Sequence, residues 1–152
     1  MSASRPTTRT RDVVVIGTSA GGVEALPRLL AQLPASLPAS LFIVQHLSPT
    51  HNPYLVEILK RDSPLPVSWA EQGEPIERGH VYVAPPDVHL LFADDHLQLS
   101  RAVRENHARP SIDRLFRSAA AQLGGRVIGV LLTGMLYDGV AGLRAIREAA
   151  AW

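Results

Sequence analysis

Val13-Val14-Val15-Ile16-Gly17-Thr18-Ser19-Ala20-Gly21-Gly22 reads as a strand that runs into a glycine-rich turn carrying one serine. Four consecutive β-favouring apolar residues without alternation suit a strand covered on both faces, as in a parallel sheet. Gly17, Gly21 and Gly22 permit backbone angles and close approaches that a Cβ blocks. Ser19 is thereby set at the C-terminal end of a strand, where open α/β sheets carry their ligand sites.

Working outward, Val23, Leu26, Leu29, Leu30 and Leu33 recur at helical spacing, and Pro34 and Pro38 end that helix. Ser40-Leu41-Phe42-Ile43-Val44-Gln45-His46 repeats the opening device, an apolar run ending in polar residues, and places His46 at a second strand end. If the first helix is a right-handed crossover, both strand ends lie on one side of the sheet. A third buried strand, Arg126 to Leu132, runs into Thr133-Gly134-Met135-Leu136-Tyr137-Asp138-Gly139 and a final helix from Val140. Between these lie a short helix from Pro53 to Lys60, with Tyr54, Leu55, Ile58 and Leu59 facing inward, and short strands around 66–70 and 81–84. A β-hairpin over 88–99, a basic loop from Arg101 to Arg109 and a helix from Ser111 to Leu123 complete the reading. The expected fold is a three-layer α/β domain over residues 13–152, with a mostly parallel, doubly wound sheet and a hairpin insertion. Residues 1–12 are polar and read as a disordered tail.

The chain has 152 residues, enough for one core without disulfides or metals, and no cysteine. Fifteen basic against fourteen acidic residues leave a net charge of +1, so no global field points to nucleic acid. No apolar run reaches the length of a membrane span.

Three strands thus end in Ser19, His46 and Asp138, three residue types with complementary chemistry. A hydroxyl becomes a nucleophile when an imidazole takes its proton, and a carboxylate fixes the tautomer of that imidazole and stabilises its cation. Backbone N–H groups at Ala20 and Met135 are candidate oxyanion donors. Singly, Ser19 is equally a turn residue, His46 a half-exposed strand end and Asp138 an N-cap for the last helix. A phosphate-cradling turn is the competing reading of the opening stretch. Its spacing is G-x-x-x-G-G rather than G-x-G-x-x-G, there is no Walker lysine, and Gln45-His46 stands where a ribose-binding acid is expected. The order serine, histidine, acid also differs from that of ordinary α/β-hydrolases.

That order belongs to a set of blocks: Ile16 to Gly22, Val44-Gln45-His46, Gly79 to Asp87 with His89-Leu90, Arg109-Pro110-Ser111-Ile112-Asp113, and Leu132 to Met135 with Asp138-Gly139. Together they resemble the catalytic domain of the chemotaxis protein-glutamate methylesterases, the CheB family. The resemblance implies that Ser19 is the nucleophile, His46 the base and Asp138 its orienting acid, with no cofactor and no metal. It implies as partners methylated glutamates, and in some members glutamines, on cytoplasmic helices of chemoreceptors, and a separate receiver or histidine kinase as regulator, all in the cytoplasm. Arg101, Arg104 and Arg109 either steer the domain toward acidic receptor helices or hold a solvated loop together. Where the family reads Gly-Met-Gly this chain has Gly134-Met135-Leu136, and the family domain continues beyond Trp152. The domain is therefore expected to lack its last strand and C-terminal segment. A catalytically inactive receptor-binding module that keeps the fold is the alternative.

Overall fold

The computed structural model describes residues 10–19, 22–46, 53–132 and 138–150, with 22 and 23 described through their backbone. In chain order the elements are β1 (Val13–Thr18), α1 (Gly22–Ala31), β2 (Ser40–Gln45), α2 (Leu55–Lys60), β3 (Val67–Trp69), β4 (Val81–Val83), β5 (His89–Ala93), β6 (His96–Ser100), α3 (Ile112–Leu123), a 3₁₀ turn (Gly124–Arg126), β7 (Val127–Leu132) and α4 (Val140–Ala150).

Five strands form one sheet in the order β3-β4-β2-β1-β7, and every pairing in it is parallel. The three unbroken apolar runs of the sequence are the neighbours β2, β1 and β7, but β7, read as buried, is the edge strand: Val127 alone is fully buried and Ile128 is exposed. Thr18 stands in register with Gln45 on one side and Leu132 on the other, so the three strands end level. The chain winds from β1 outward through β2 and returns to place β7 on the far side of β1. The direction of winding therefore reverses at the end of β1, where a crevice for chemistry opens in such sheets.

Alternate residues of the strands feed two cores. Ile16, Leu41 and Ile43 pack with Leu26 and Leu30 of α1 and Leu59 of α2. Val15, Phe42 and Val44 pack on the other face with Leu115 and Phe116 of α3 and Ile146 of α4. These are the three layers read from the sequence. The β5–β6 hairpin is a separate antiparallel sheet, bound to α3 where the Phe92 N–H donates to Ser118 Oγ at 2.7 Å. Phe92 also meets Phe42 edge to face, with ring centroids 4.8 Å apart.

Gly17 carries the close approach anticipated for it: a Cβ there would lie 2.4 Å from the Ile112 side chain, so the start of α3 is seated directly on β1. Two expectations change. Tyr54 is exposed and precedes α2, whose buried residues are Leu55, Val56 and Leu59. The polar tail ends before Asp12, which is buried and belongs to the fold. The Asp12 carbonyl accepts from the Ser40 N–H at 2.9 Å, and its carboxylate accepts from Arg126 Nε at 2.9 Å. Composition placed Asp12 with its polar neighbours because its arginine partners, Arg78 and Arg126, lie 66 and 114 residues away in sequence.

Candidate active site

Ser19 is the first residue beyond β1 and His46 the first beyond β2, on adjacent strands at the same level. The backbone of His46 prolongs the sheet, its N–H donating to the Thr18 carbonyl at 2.8 Å. The His46 ring lies on the α3–α4 side, with Nε2 2.7 Å from Asp138 Oδ2. The N–H direction is off that line, so the contact has the length of a hydrogen bond without its alignment. A modest ring rotation aligns the pair, and such bonds commonly tighten when substrate binds. Nδ1 is then the ring nitrogen left to accept a proton.

Asp138 is 2% exposed. Its Oδ2 also accepts from the Ile112 N–H at 2.8 Å. Oδ1 accepts from the Asp113 N–H at 2.9 Å, Ser111 Oγ at 3.0 Å and Asn106 Nδ2 at 2.8 Å. Burial alone would push this carboxyl up. The contact with His46 and the bonds from Asp113, Asn106 and Ile112 outweigh it and hold the pKa at about 2. Asp138 therefore stays an anion, and its backbone N–H donors come from the start of α3, where the helix dipole favours negative charge.

The residue expected as a possible cap for the last helix instead caps α3. The start of α4 is capped by Asp113, whose Oδ1 accepts from the Gly139 N–H at 2.9 Å and the Gly142 N–H at 2.7 Å. Each carboxylate thus serves the helix on which the other sits. Glycine at 142 leaves room for the exchange, since a Cβ there would lie 2.4 Å from Phe116 Cβ and 3.0 Å from Asp113 Oδ1.

His89, from one of the sequence blocks, is fully buried behind this cluster. Its Nδ1 accepts from the Ser111 N–H at 3.2 Å and its Nε2 donates to the Val103 carbonyl at 2.9 Å. Those two partners require the neutral ring, and burial holds its pKa below the ordinary value. On the opposite face of β2 from His46, the buried Gln45 amide has no hydrogen-bond partner at either end among the described residues.

The basic loop is ordered around Asp87. Arg109 Nη2 lies 2.7 Å from Asp87 Oδ1, and its Nη1 donates to the carbonyls of Arg101 and Ala102 at 3.1 and 3.3 Å. Arg101 and Arg104 approach the same carboxylate at 3.7 and 3.6 Å but are 77% and 57% exposed. Arg109 is thus engaged inside the loop, while Arg101 and Arg104 face solvent. The oxyanion candidates Ala20 and Met135, with Leu136, lie outside the described residues. Among the described residues no cluster of His, Asp and Glu could hold a metal, and no helix is long and apolar enough to cross a membrane.

Sequence reasoning missed Asn106, Ser111 and Asp113 as parts of the site. The one local signal was Ser111-Ile112-Asp113, a serine before a helix with an acid in its first turn, which marks a helix start but names no distant partner.

Fold and site together define an α/β domain with Ser19, His46 and Asp138 at the C-terminal edge of a parallel sheet. A family model described as CheB methylesterase matches residues 14–152, and the chain belongs to that family. It is 44% identical over 138 residues to protein-glutamate methylesterase/protein-glutamine glutaminase 4 of Myxococcus xanthus, covering 90% of this chain and 39% of that protein. It is 40% identical over 152 residues to the corresponding protein 2 of Methanosarcina mazei, covering 95% and 41%. To the Escherichia coli K12 protein it is 39% identical over 151 residues, covering 97% and 43%. The chain thus spans about two-fifths of the length of these relatives. The crystal structure of the Thermotoga maritima CheB methylesterase catalytic domain is similar, with a TM-score of 0.85 at 34% identity, covering 93% of this chain and 77% of that one.

Proposed function

We propose that this chain hydrolyses the methyl esters of glutamate side chains in a protein substrate, and the amides of glutamine side chains at the same site. Ser19 is the nucleophile, His46 the base and Asp138 the acid that orients it. The observation that carries the reading is the 2.7 Å approach of His46 Nε2 to the buried, ionised Asp138, one strand from Ser19. The names of the relatives, which pair methylesterase with glutaminase, support the substrate class.

In this mechanism Ser19 Oγ attacks the ester carbonyl as its proton passes to His46 Nδ1, and the negative charge of Asp138 stabilises the imidazolium. The tetrahedral oxyanion is held by backbone N–H groups of Ala20 and Met135. Collapse breaks the bond to the methoxy oxygen, which leaves as methanol with the proton from His46. Water then attacks the acyl-serine, giving its proton to His46, and returns Ser19 and a glutamate carboxylate. With a glutamine substrate the leaving group is ammonia. The protein substrate is the methylated cytoplasmic helices of a chemoreceptor, with a separate receiver or histidine kinase as regulatory partner, and the site of action is the cytoplasm. Arg101 and Arg104, exposed around Asp87 on the same loop as Asn106, steer toward acidic helices.

The test is methanol release from methylated receptor cytoplasmic fragments by this chain, Ser19→Ala and His46→Ala, each shown to be folded. Loss of either reacting group is expected to lower turnover on the order of 10⁴-fold. Turnover by Ser19→Ala at the parent rate removes the reading.

A further inference from the structure

We propose that Asn106 is a positioning residue for this hydrolysis: its side-chain amide, set between Asp113 and Asp138, fixes the orientation in which the Asp138 carboxylate meets His46. The proposal rests on the triad reading above.

Asn106 is delivered to this place by a built turn. Glu105 and Ala108 exchange two backbone hydrogen bonds of 3.0 Å, and the two residues between them, Asn106 and His107, are both left-handed, with φ of 54° and 63°. That is the two-residue hairpin turn in which asparagine is favoured, because its short amide tolerates a positive φ. The turn is fastened to α3 by Glu105, whose carboxylate receives both outer nitrogens of Arg117, Nη2 at 2.6 Å.

At the tip, Nδ2 has two hydrogens and two acceptors: Asp113 Oδ2 and Asp138 Oδ1, each at 2.8 Å. Both carboxylates are buried. Like charges this close repel unless donors lie between them, and Asn106 is the side chain that gives one hydrogen to each. The two anions are not equally anchored. Asp113 is otherwise held through Oδ1 alone, by two backbone N–H groups of the α4 start, whereas Asp138 Oδ1 also accepts from the Asp113 N–H and Ser111 Oγ, and its Oδ2 is shared between the Ile112 N–H and the imidazole of His46. Without the amide, Asp113 Oδ2 faces Asp138 Oδ1 with no shared donor between them, and the repulsion bears on the carboxylate that meets His46. A hydrogen bond to a buried anion is among the stronger kinds, and its loss is felt in geometry as well as charge.

Two variants keep the left-handed turn and so separate the amide from the fold. Asn106→Gly removes the amide at a position where glycine is unstrained. Asn106→Asp keeps the shape and replaces two donors by an anion. With methylated receptor fragments as substrate, Asn106→Gly is expected to lower kcat on the order of tenfold, the worth of one charge-assisted hydrogen bond, at unchanged KM. Asn106→Asp is expected to lower kcat further. Independently of turnover, carbon NMR titration of Asp138 should move upward from its low position in Asn106→Gly, since a donor to the charged form has gone. A role confined to stability would lower the thermal midpoint and leave kcat per folded molecule and the Asp138 titration in place, which overturns the proposal. A silent Ser19→Ala beside an Asn106→Gly of parent kcat overturns it alone; parent turnover in Ser19→Ala overturns the triad and this proposal with it. Were the parent chain to release no methanol, an unmoved Asp138 titration in Asn106→Gly would refute it.

Discussion

Two aspartates of this domain are each surrounded by several donors, and they differ in nearly everything else. Asp87 lies on the surface, its side chain 51% exposed, with Arg109, Arg101 and Arg104 about it. Asp138 lies 2% exposed at the start of α3, with backbone and short side-chain donors on both oxygens. Both carboxyls are held below their ordinary pKa, Asp87 chiefly by its hydrogen bond with Arg109, Asp138 by bonds that overcome the penalty of burial. The arginine contacts lie at the surface and are screened by salt, so they order a loop. The donors on Asp138 are rigid and shielded from water, so they set a direction. Only the second arrangement can aim a carboxylate at an imidazole.

The largest effect that tests this contrast is Asp113→Ala. It leaves the N–H groups of Gly139 and Gly142 and one hydrogen of Asn106 without their buried acceptor. Unfolding in urea should show a loss of about 3 kcal/mol or more, as expected for several unmet buried donors. A loss as small as that of a surface substitution would mean that the exchanged caps between α3 and α4 do not hold the helices together.

Acid comes next. Asp138 has a folded pKa of about 2 against an ordinary 3.8, so its contribution is complete above 3.8 and disappears as pH falls through 2. The amount is about 2 kcal/mol. His89 acts at higher pH: its folded pKa lies below the ordinary 6.5, so protonation of the unfolded chain erodes stability as pH falls below 6.5. Denaturant midpoints between pH 7 and pH 2 should therefore fall in two stages, and His89→Gln should abolish the first. The Asp138 stage should survive added salt, because its partners are buried; if salt abolishes it, the distinction between the two aspartates is wrong.

The smallest effect belongs to Asp87→Asn. Thermal unfolding in moderate salt should barely change, while amide exchange in the Arg101–Arg109 loop should quicken. A large fall in the midpoint would show that the arginine cluster holds the domain, not merely its loop.

The parallel sheet was legible because β1, β2 and β7 are unbroken apolar runs; β1 and β2 are covered on both faces as such runs suggest, whereas β7, at the sheet edge, fully buries Val127 alone and exposes Ile128. The level ends of those strands followed from crossover geometry, which is why Ser19, His46 and Asp138 were candidates before any coordinates. The basic loop was recognised by composition, but composition could not tell Arg109, engaged with Asp87 and two carbonyls, from the exposed Arg101 and Arg104. Tyr54 was assigned inward by helical spacing and is exposed, because α2 begins only after it.

By itself, the sequence determined which apolar segments are strands, which residues stand at their C-terminal ends, and the family to which the chain belongs, since these depend on local pattern and on ordered motifs. The tertiary structure decided the side-chain connections. Asp138 caps α3 while Asp113 caps α4, His89 binds Val103 to Ser111, and Asn106 reaches between two carboxylates. The physical reason is that a hydrogen bond between residues about 25 positions apart leaves no periodicity in either segment. It exists only once packing has brought two helix starts together and excluded the water that would otherwise serve them.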